Sequence, residues 1–400
     1  MCLSATDITR ASTRSFRTGS LTTAYFGAFV GLGLSVGLLG PTIPGLAEQT
    51  HVGLSAISCV FTFRSLGYVL GAVRGGKLFD RRPGNPVMAG MLAAMALMMA
   101  LVPVAPRLWL LLAVMLVLGA AEATLDVGAN TLLLRVHGNR VGPFMNAMHS
   151  FFGVGALMAP IVVAQTASFK HPTAHSYFVI ALLLLPLAAY TLRLPSPVAL
   201  PANKHEEPPG TNHRLVFLIA LFLFLYVGAE VGFAGWIFTY AVEFKLSEAT
   251  TAAYLTSLFW GSLTFGRMLT IPLVARLRPR SILVSSLSGS LFSLALMLLS
   301  PRSFGAVLTG TMGLGLSMAS IFPTTLTFAG RRMKMTGRVT GWLILGSSAG
   351  AMLVPFLMGQ SFQSGHPRIL MVVITTTLLA ALGVLALVIR TSQKVTTTVT

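Results

Sequence analysis

The chain has 400 residues, 54% hydrophobic and only 10% charged, with a mean hydropathy of +0.79. A soluble domain carries about a quarter charged residues, so this composition excludes a soluble enzyme or binding module and indicates an integral membrane protein. The formal charge of +18 points to membrane topology and not to nucleic acid. Its lysines and arginines lie in short breaks between apolar runs, and no basic domain gathers them.

The apolar runs are long enough for helical spans and too long for barrel strands. Twelve spans are expected. The first six lie near 22–43, 52–74, 86–105, 108–134, 143–166 and 174–192, and the second six near 214–241, 249–274, 280–299, 304–329, 341–360 and 368–389. The first twenty residues are polar and basic (Arg10, Arg14, Arg17) and run into a full-length span without a clear cleavage site, so the first helix is read as uncleaved. Cys2 in the tail and Cys59 inside an apolar run imply no disulfide framework. Between the two sets of six, residues 194–213 hold Pro195, Pro197, Pro201, Pro208 and Pro209 with Lys204, Glu206 and Glu207, the composition of a linker. The expected organisation is a cytoplasmic tail at 1–20, a six-helix half at 21–193, a cytoplasmic linker at 194–213, a second six-helix half at 214–390 and a cytoplasmic tail at 391–400.

The basic residues test that count. Only Arg107, Lys170, Lys245, Arg302 and Arg368 fall in loops on the far side, and Arg64 and Arg267 lie within spans. Every other lysine and arginine shares the side of the N-terminus. Cytoplasmic loops collect Lys and Arg, so both termini are expected in the cytoplasm, and a missed span would destroy the alternation. A weak repeat at an offset of 195 residues pairs Gly71 with Gly266, Leu78 with Leu273 and Arg81 with Arg276. Repeated halves place a solute site between them near the midplane.

The fourth span holds the most costly residues. Glu122, Asp126 and Asn130 recur every fourth position and share one helix face. Ionisable groups inside a membrane are expensive and face a partner or a cavity. Two readings follow. The carboxylates form a buried network with Arg64 or Arg267, or they line a cavity that binds substrate, a proton or a cation. The fifth span opens with Asn146 and His149, three apart on one face. The seventh carries Glu230 near its middle, with Trp236 and Tyr240 four apart in its outer half. Rings that stack on a sugar face, beside carboxylates and amides that bond hydroxyls, make a carbohydrate site. An interfacial aromatic belt is the other reading of the two rings. Arg267 on the eighth span could pair with Glu230 or with a carboxylate of the fourth. No phosphate loop, metal-ligand cluster or nucleophile motif is present, so neither an enzyme nor a resident cofactor or metal is expected.

Residues 75–84, Gly-Gly-Lys-Leu-Phe-Asp-Arg-Arg-Pro-Gly, resemble the cytoplasmic signature loop of the major facilitator superfamily, and the resemblance covers residues 20–390. It implies an all-α membrane fold of twelve helices in two pseudo-symmetric halves, with Gly76, Asp80 and Arg81 as gate residues. The second-half counterpart has Ala275 in place of the aspartate. The run Asp126-Val-Gly-Ala-Asn130, followed by Asn146-Ala-Met-His149, is similar to the fucose:proton symporter branch and to the sodium-dependent glucose transporter-like group. Tyr226-Val-Gly-Ala-Glu230 with Gly235-Trp236 is similar to the latter group. The resemblance implies proton uptake at Asp126. A carboxylate found on that symporter's first helix is missing here, so Glu122 or Glu230 would have to substitute for it. The expected function is secondary active transport of a small polar solute, most directly a hexose-type sugar, coupled to H⁺ or Na⁺. Substrate would meet Asn130, Asn146, His149, Glu230, Trp236 and Tyr240. Coupling would fall to Asp126, Glu122 or Glu230, and Na⁺ would bind Glu122, Asp126 and Asn130. A drug or metabolite exporter and a non-transporting receptor are the alternatives. The expected setting is the lipid bilayer of the cell membrane, as a monomer, with no nucleic-acid partner.

Overall fold

A computed structural model describes residues 5–197, 212–333, 337–361 and 368–397. Those residues form α-helices with short 3-10 turns and no strand. The helices are α1 (Ala5–Gln49), α2 (Leu54–Ile57), α3 (Cys59–Arg81), α4 (Gly84–Leu101), α5 (Leu108–His137), α6 (Val141–Thr166) and α7 (Pro172–Arg193). They continue with α8 (His213–Glu243), α9 (Ala249–Arg276), α10 (Pro279–Leu299), α11 (Phe304–Met318), α12 (Ile321–Gly330), α13 (Gly337–Ser361) and α14 (Arg368–Thr397).

Among the described residues, eleven helical stretches are long and apolar enough to cross a membrane, with α2–α3 and α11–α12 each counting as one. The continuous 28-residue α9, packed between α6 and α11, occupies the place of the remaining expected span. Three details differ from the sequence reading. Helix α1 starts at Ala5 and absorbs most of the expected tail, since no glycine or proline interrupts the chain before Gly19. The second span is broken at Ser58. The tenth is broken at Ala319–Ser320, where Pro323 has no amide to offer the Ala319 carbonyl one turn earlier. The proline-rich linker falls mainly on residues 198–211, outside the described residues.

The first six spans pack chiefly on one another (α3 on α5, α1 on α6, α4 on α7), and so do the last six (α8 on α13 and α14, α11 on α9 and α10). The sets meet through α6–α9, α3–α13 and α1–α8. Within each set, backbones approach through glycines. A Cβ added at Gly67 or Gly71 of α3 would strike the carbonyl oxygen of Leu116 or Ala120 on α5, and one added at Gly119 would strike that of Arg64. Small residues one turn apart permit such contact inside a membrane, and here they lock the register of α3 on α5. Gly67→Ala is expected to lower stability by about 1–3 kcal/mol, because backbone cannot yield as a side-chain tip does. Gly90→Ala, where a Cβ meets open space, is expected to be neutral or slightly stabilising. Thermal unfolding of the two purified variants checks the contrast.

Candidate functional site

The lock between α3 and α5 sets two rungs. Arg64 and Tyr68 are one turn apart on α3, and each reaches the α5 residue numbered 58 higher. On the first rung, Arg64 grips Glu122 with Nε to Oε2 at 2.9 Å and Nη2 to Oε1 at 2.5 Å. Ser35 of α1 donates to Oε1 and accepts from Arg64 Nη2 at 3.2 Å. Both charged residues are buried, and Glu122 is 1% exposed. A two-point guanidinium–carboxylate bond of this kind is strong and directional. Glu122 therefore does not face a cavity with a free charge. Of the two readings open to it, the buried network is the one the geometry realises, because the glycine lock brings Arg64 to it.

Asp126, on the second rung, is half-buried. It accepts from the Tyr68 hydroxyl at Oδ2 and from Asn130 Nδ2 at Oδ1, at 2.8 Å for the latter. Asn130 Nδ2 also donates to the Asp126 carbonyl at 2.9 Å. These donors are neutral, so the carboxylate has hydrogen bonds but, among the described residues, no paired cation. The expected Na⁺ set of Glu122, Asp126 and Asn130 does not converge. Arg64 and Ser35 occupy the Glu122 oxygens, and Asn130 presents its amide nitrogen. Sequence reasoning missed Tyr68, although its four-residue spacing from Arg64 matched that of Glu122 and Asp126.

His149 and Asn146 lie on an exposed face of α6. The His149 ring meets Phe29 of α1 edge-on at 5.1 Å and is within electrostatic range of Asp126 and of Arg267 on α9. It thus stands where the two sets face each other. Across the gap, Glu230 of α8 is buried and its Oε1 lies 3.9 Å from Arg267 Nη2. Tyr226, one turn earlier on α8, donates to the Met318 carbonyl at 3.0 Å. The Arg267–Glu230 contact is looser than the Arg64–Glu122 bond, and Arg267 Nε is buried without a hydrogen-bond partner among the described residues.

Trp236 and Tyr240 are placed otherwise than expected. Both rings are fully buried. Trp236 donates Nε1–H to the Pro355 carbonyl at 2.9 Å and leans on Phe61 at 5.9 Å. Tyr240 packs on Phe244 at 4.6 Å. Neither offers a face to open space, because close packing of α8 on α13, with the Phe61 ring of α3 against Trp236, encloses that end of the helix. Trp260 of α9 is also buried, and it lies where the two sets meet, edge-on to Phe152 of α6 at 6.2 Å.

Hydrogen bonds between the two sets lie toward the end where α1 and α8 terminate. Ser55 donates to Gln360 Oε1 at 2.8 Å, and Gln360 Nε2 donates to the Ser55 carbonyl at 2.9 Å and to Ser58 Oγ at 3.1 Å. Gln165 donates to Tyr254 at 3.0 Å. The residues expected to form a gate lie at the opposite end. Asp80 is exposed and pairs with Arg135 of α5 at 3.3 Å, and Arg135 also donates to the Phe79 carbonyl at 3.1 Å. Arg81 is exposed, and Gly76 borders open space. The described partner of Asp80 thus belongs to its own set.

The Major Facilitator Superfamily pattern matches residues 25–355. Over 395 residues the chain is 32% identical to the sodium-dependent glucose transporter 1A of Mus musculus, covering 89% of this chain and 92% of the other. It is 29% identical over 392 residues to the sodium-dependent glucose transporter 1 of Homo sapiens, covering 87% and 74% respectively. The crystal structure of the nucleoside transporter NupG superposes with a TM-score of 0.71 at 16% identity, covering 94% of this chain and 98% of that one, a likeness of fold. A match across most of its length, on two packed sets of six spans, establishes that the chain belongs to the Major Facilitator Superfamily of transporters.

Proposed function

We propose that the protein is a secondary active transporter that moves a hexose-type sugar by alternating access, driven by H⁺ or Na⁺. The single observation that carries this reading is Asp126. It is an intramembrane carboxylate with neutral hydrogen-bond donors and, among the described residues, no paired cation, in electrostatic reach of His149 on α6. Such a group is a functional candidate by default. Neutralising it by a proton or a cation changes the relative stability of the two access states. The curated relatives named for sodium-dependent glucose transport support the sugar and the coupling. Asn146 and His149, exposed on α6, with Arg267 and Glu230 opposite, supply the amide, imidazole and charged groups that sugar hydroxyls require. Glu122, clamped by Arg64, has a structural role in this scheme. The halves are residues 21–193 and 214–390, and the distribution of arginines supports a cell-membrane protein with both termini in the cytoplasm.

The test is uptake of a labelled hexose panel into proteoliposomes under separate Na⁺ and pH gradients. One gradient is expected to drive accumulation above the external concentration, and Asp126→Asn is expected to abolish that accumulation. Accumulation driven by neither gradient, or Asp126→Asn behaving as the unaltered protein, overturns the reading. Extrusion of lipophilic cations with no response to sugars selects an exporter instead.

A further inference from the structure

The two rungs between α3 and α5 are built alike and dressed differently. At the first, a guanidinium cancels the carboxylate charge, and both groups are buried. At the second, the donors are a phenol and an amide, and both Tyr68 and Asp126 are half-buried. Charge-assisted bonds from neutral donors stabilise an anion without cancelling it. The second rung therefore keeps a full negative charge available to a small cation while lowering the cost of carrying it inside the protein. Tyr68 is held to that task by the helix lock. Gly67 and Gly71, on either side of it, lie against the α5 backbone, and a Cβ at Gly119 would meet the Tyr68 amide as well as the Arg64 carbonyl. The hydroxyl thus stays at Oδ2 while Asn130 holds Oδ1.

We propose that Tyr68 is a positioning residue for ion coupling: its hydroxyl bond to Asp126 Oδ2 weakens the carboxylate's hold on the driving ion enough for that ion to be released once per transport cycle. This rests on the reading of Asp126 as the coupling carboxylate. The groups facing Asp126 are Tyr68 from α3, Asn130 and the Arg64-paired Glu122 from α5, and His149 from α6. Of the described donors to its side chain, Tyr68 is the one that removal of a single oxygen silences. Loss of that donor leaves Asn130 as the one described donor to the side chain and makes the carboxylate more dependent on the ion for stabilisation. The ion then binds more tightly and leaves more slowly.

The test compares Tyr68→Phe with the unaltered protein in proteoliposomes, using the gradient that drives hexose uptake. The expected result is a half-saturating concentration of the driving ion about tenfold lower, from loss of a hydrogen bond to a charged group. A lower maximal rate of accumulation is expected with it. Hexose counterflow with equal ion on both sides is expected to keep its KM, which shows that Tyr68→Phe is folded and that its solute site is intact. An unchanged half-saturating ion concentration in Tyr68→Phe, while Asp126→Asn abolishes accumulation, overturns this inference and leaves the coupling role of Asp126 standing. If Asp126→Asn accumulates hexose normally, the parent reading fails. Should Tyr68→Phe prove unstable, Asn130→Ala in the same assay removes the other neutral side-chain donor, and no change in ion half-saturation there also overturns the proposal.

Discussion

Arg64→Ala is expected to be the most damaging single substitution in the membrane core, at about 3–5 kcal/mol. The cost does not come from the bond itself. Removing the guanidinium strands Glu122, 1% exposed, with Ser35 as its only remaining described donor. Glu122→Gln strands the opposite charge and is expected to cost a similar amount. The double replacement Arg64→Met with Glu122→Met removes both charges and roughly keeps the volume, and such replacements are often neutral or stabilising. Thermal unfolding of the three proteins gives the comparison. Recovery of stability in the double variant, together with retained gradient-driven uptake, is the expected result and assigns the pair a structural role. A double variant that is stable and yet uncoupled would return Glu122 to the coupling mechanism.

How far the sequence could be read depended on whether the signal was local. The spans and their alternation were legible because hydropathy and the placement of arginines act over single segments. The face shared by Glu122, Asp126 and Asn130 was legible from helix period alone. What separates Glu122 from Asp126 is not local. It is the register of α3 on α5, set where Gly67, Gly71 and Gly119 let backbones touch, and that register delivers an arginine to one carboxylate and a tyrosine to the next. The spacing of Arg64 and Tyr68 carried the same information in a form that only a constant offset between the two helices reveals. The misplacement of Trp236 and Tyr240 has another cause. An aromatic pair at a helix end reads alike whether it stacks on a ligand, lines the interface or seals a junction, and burial against Phe61, Phe244 and the Pro355 carbonyl decided for the seal. The breaks at Ser58 and Ala319–Ser320 divide in the same way. Pro323 marks the second, and no comparable residue marks the first.

Gln360→Ala is expected to open the end of the molecule where the two sets are bonded. Its side chain makes three hydrogen bonds to Ser55 and Ser58 across that junction, all between 2.8 and 3.1 Å. Alternating access requires them to break together whenever that end opens. With each bond worth about 0.5–1.5 kcal/mol net, their loss should favour the open arrangement by about 2 kcal/mol, roughly thirtyfold in population. Gly359→Leu attacks the same junction by bulk, since a Cβ there would collide with the Ser58 side chain and crowd the Trp236 ring. Spin labels at Glu48→Cys and Glu243→Cys, exposed positions near the ends of α1 and α8, report the separation once Cys2 and Cys59 are replaced by serine. Both variants are expected to shift the distance distribution to longer values, with Gln360→Ala retaining stability because no buried charge is stranded. Distributions that match the unaltered protein in both variants would mean that the junction is held elsewhere, with the Gln165–Tyr254 bond, the Ser257 bond to the Leu157 carbonyl and the contact of Gly40 on Gly235 among the other described fastenings.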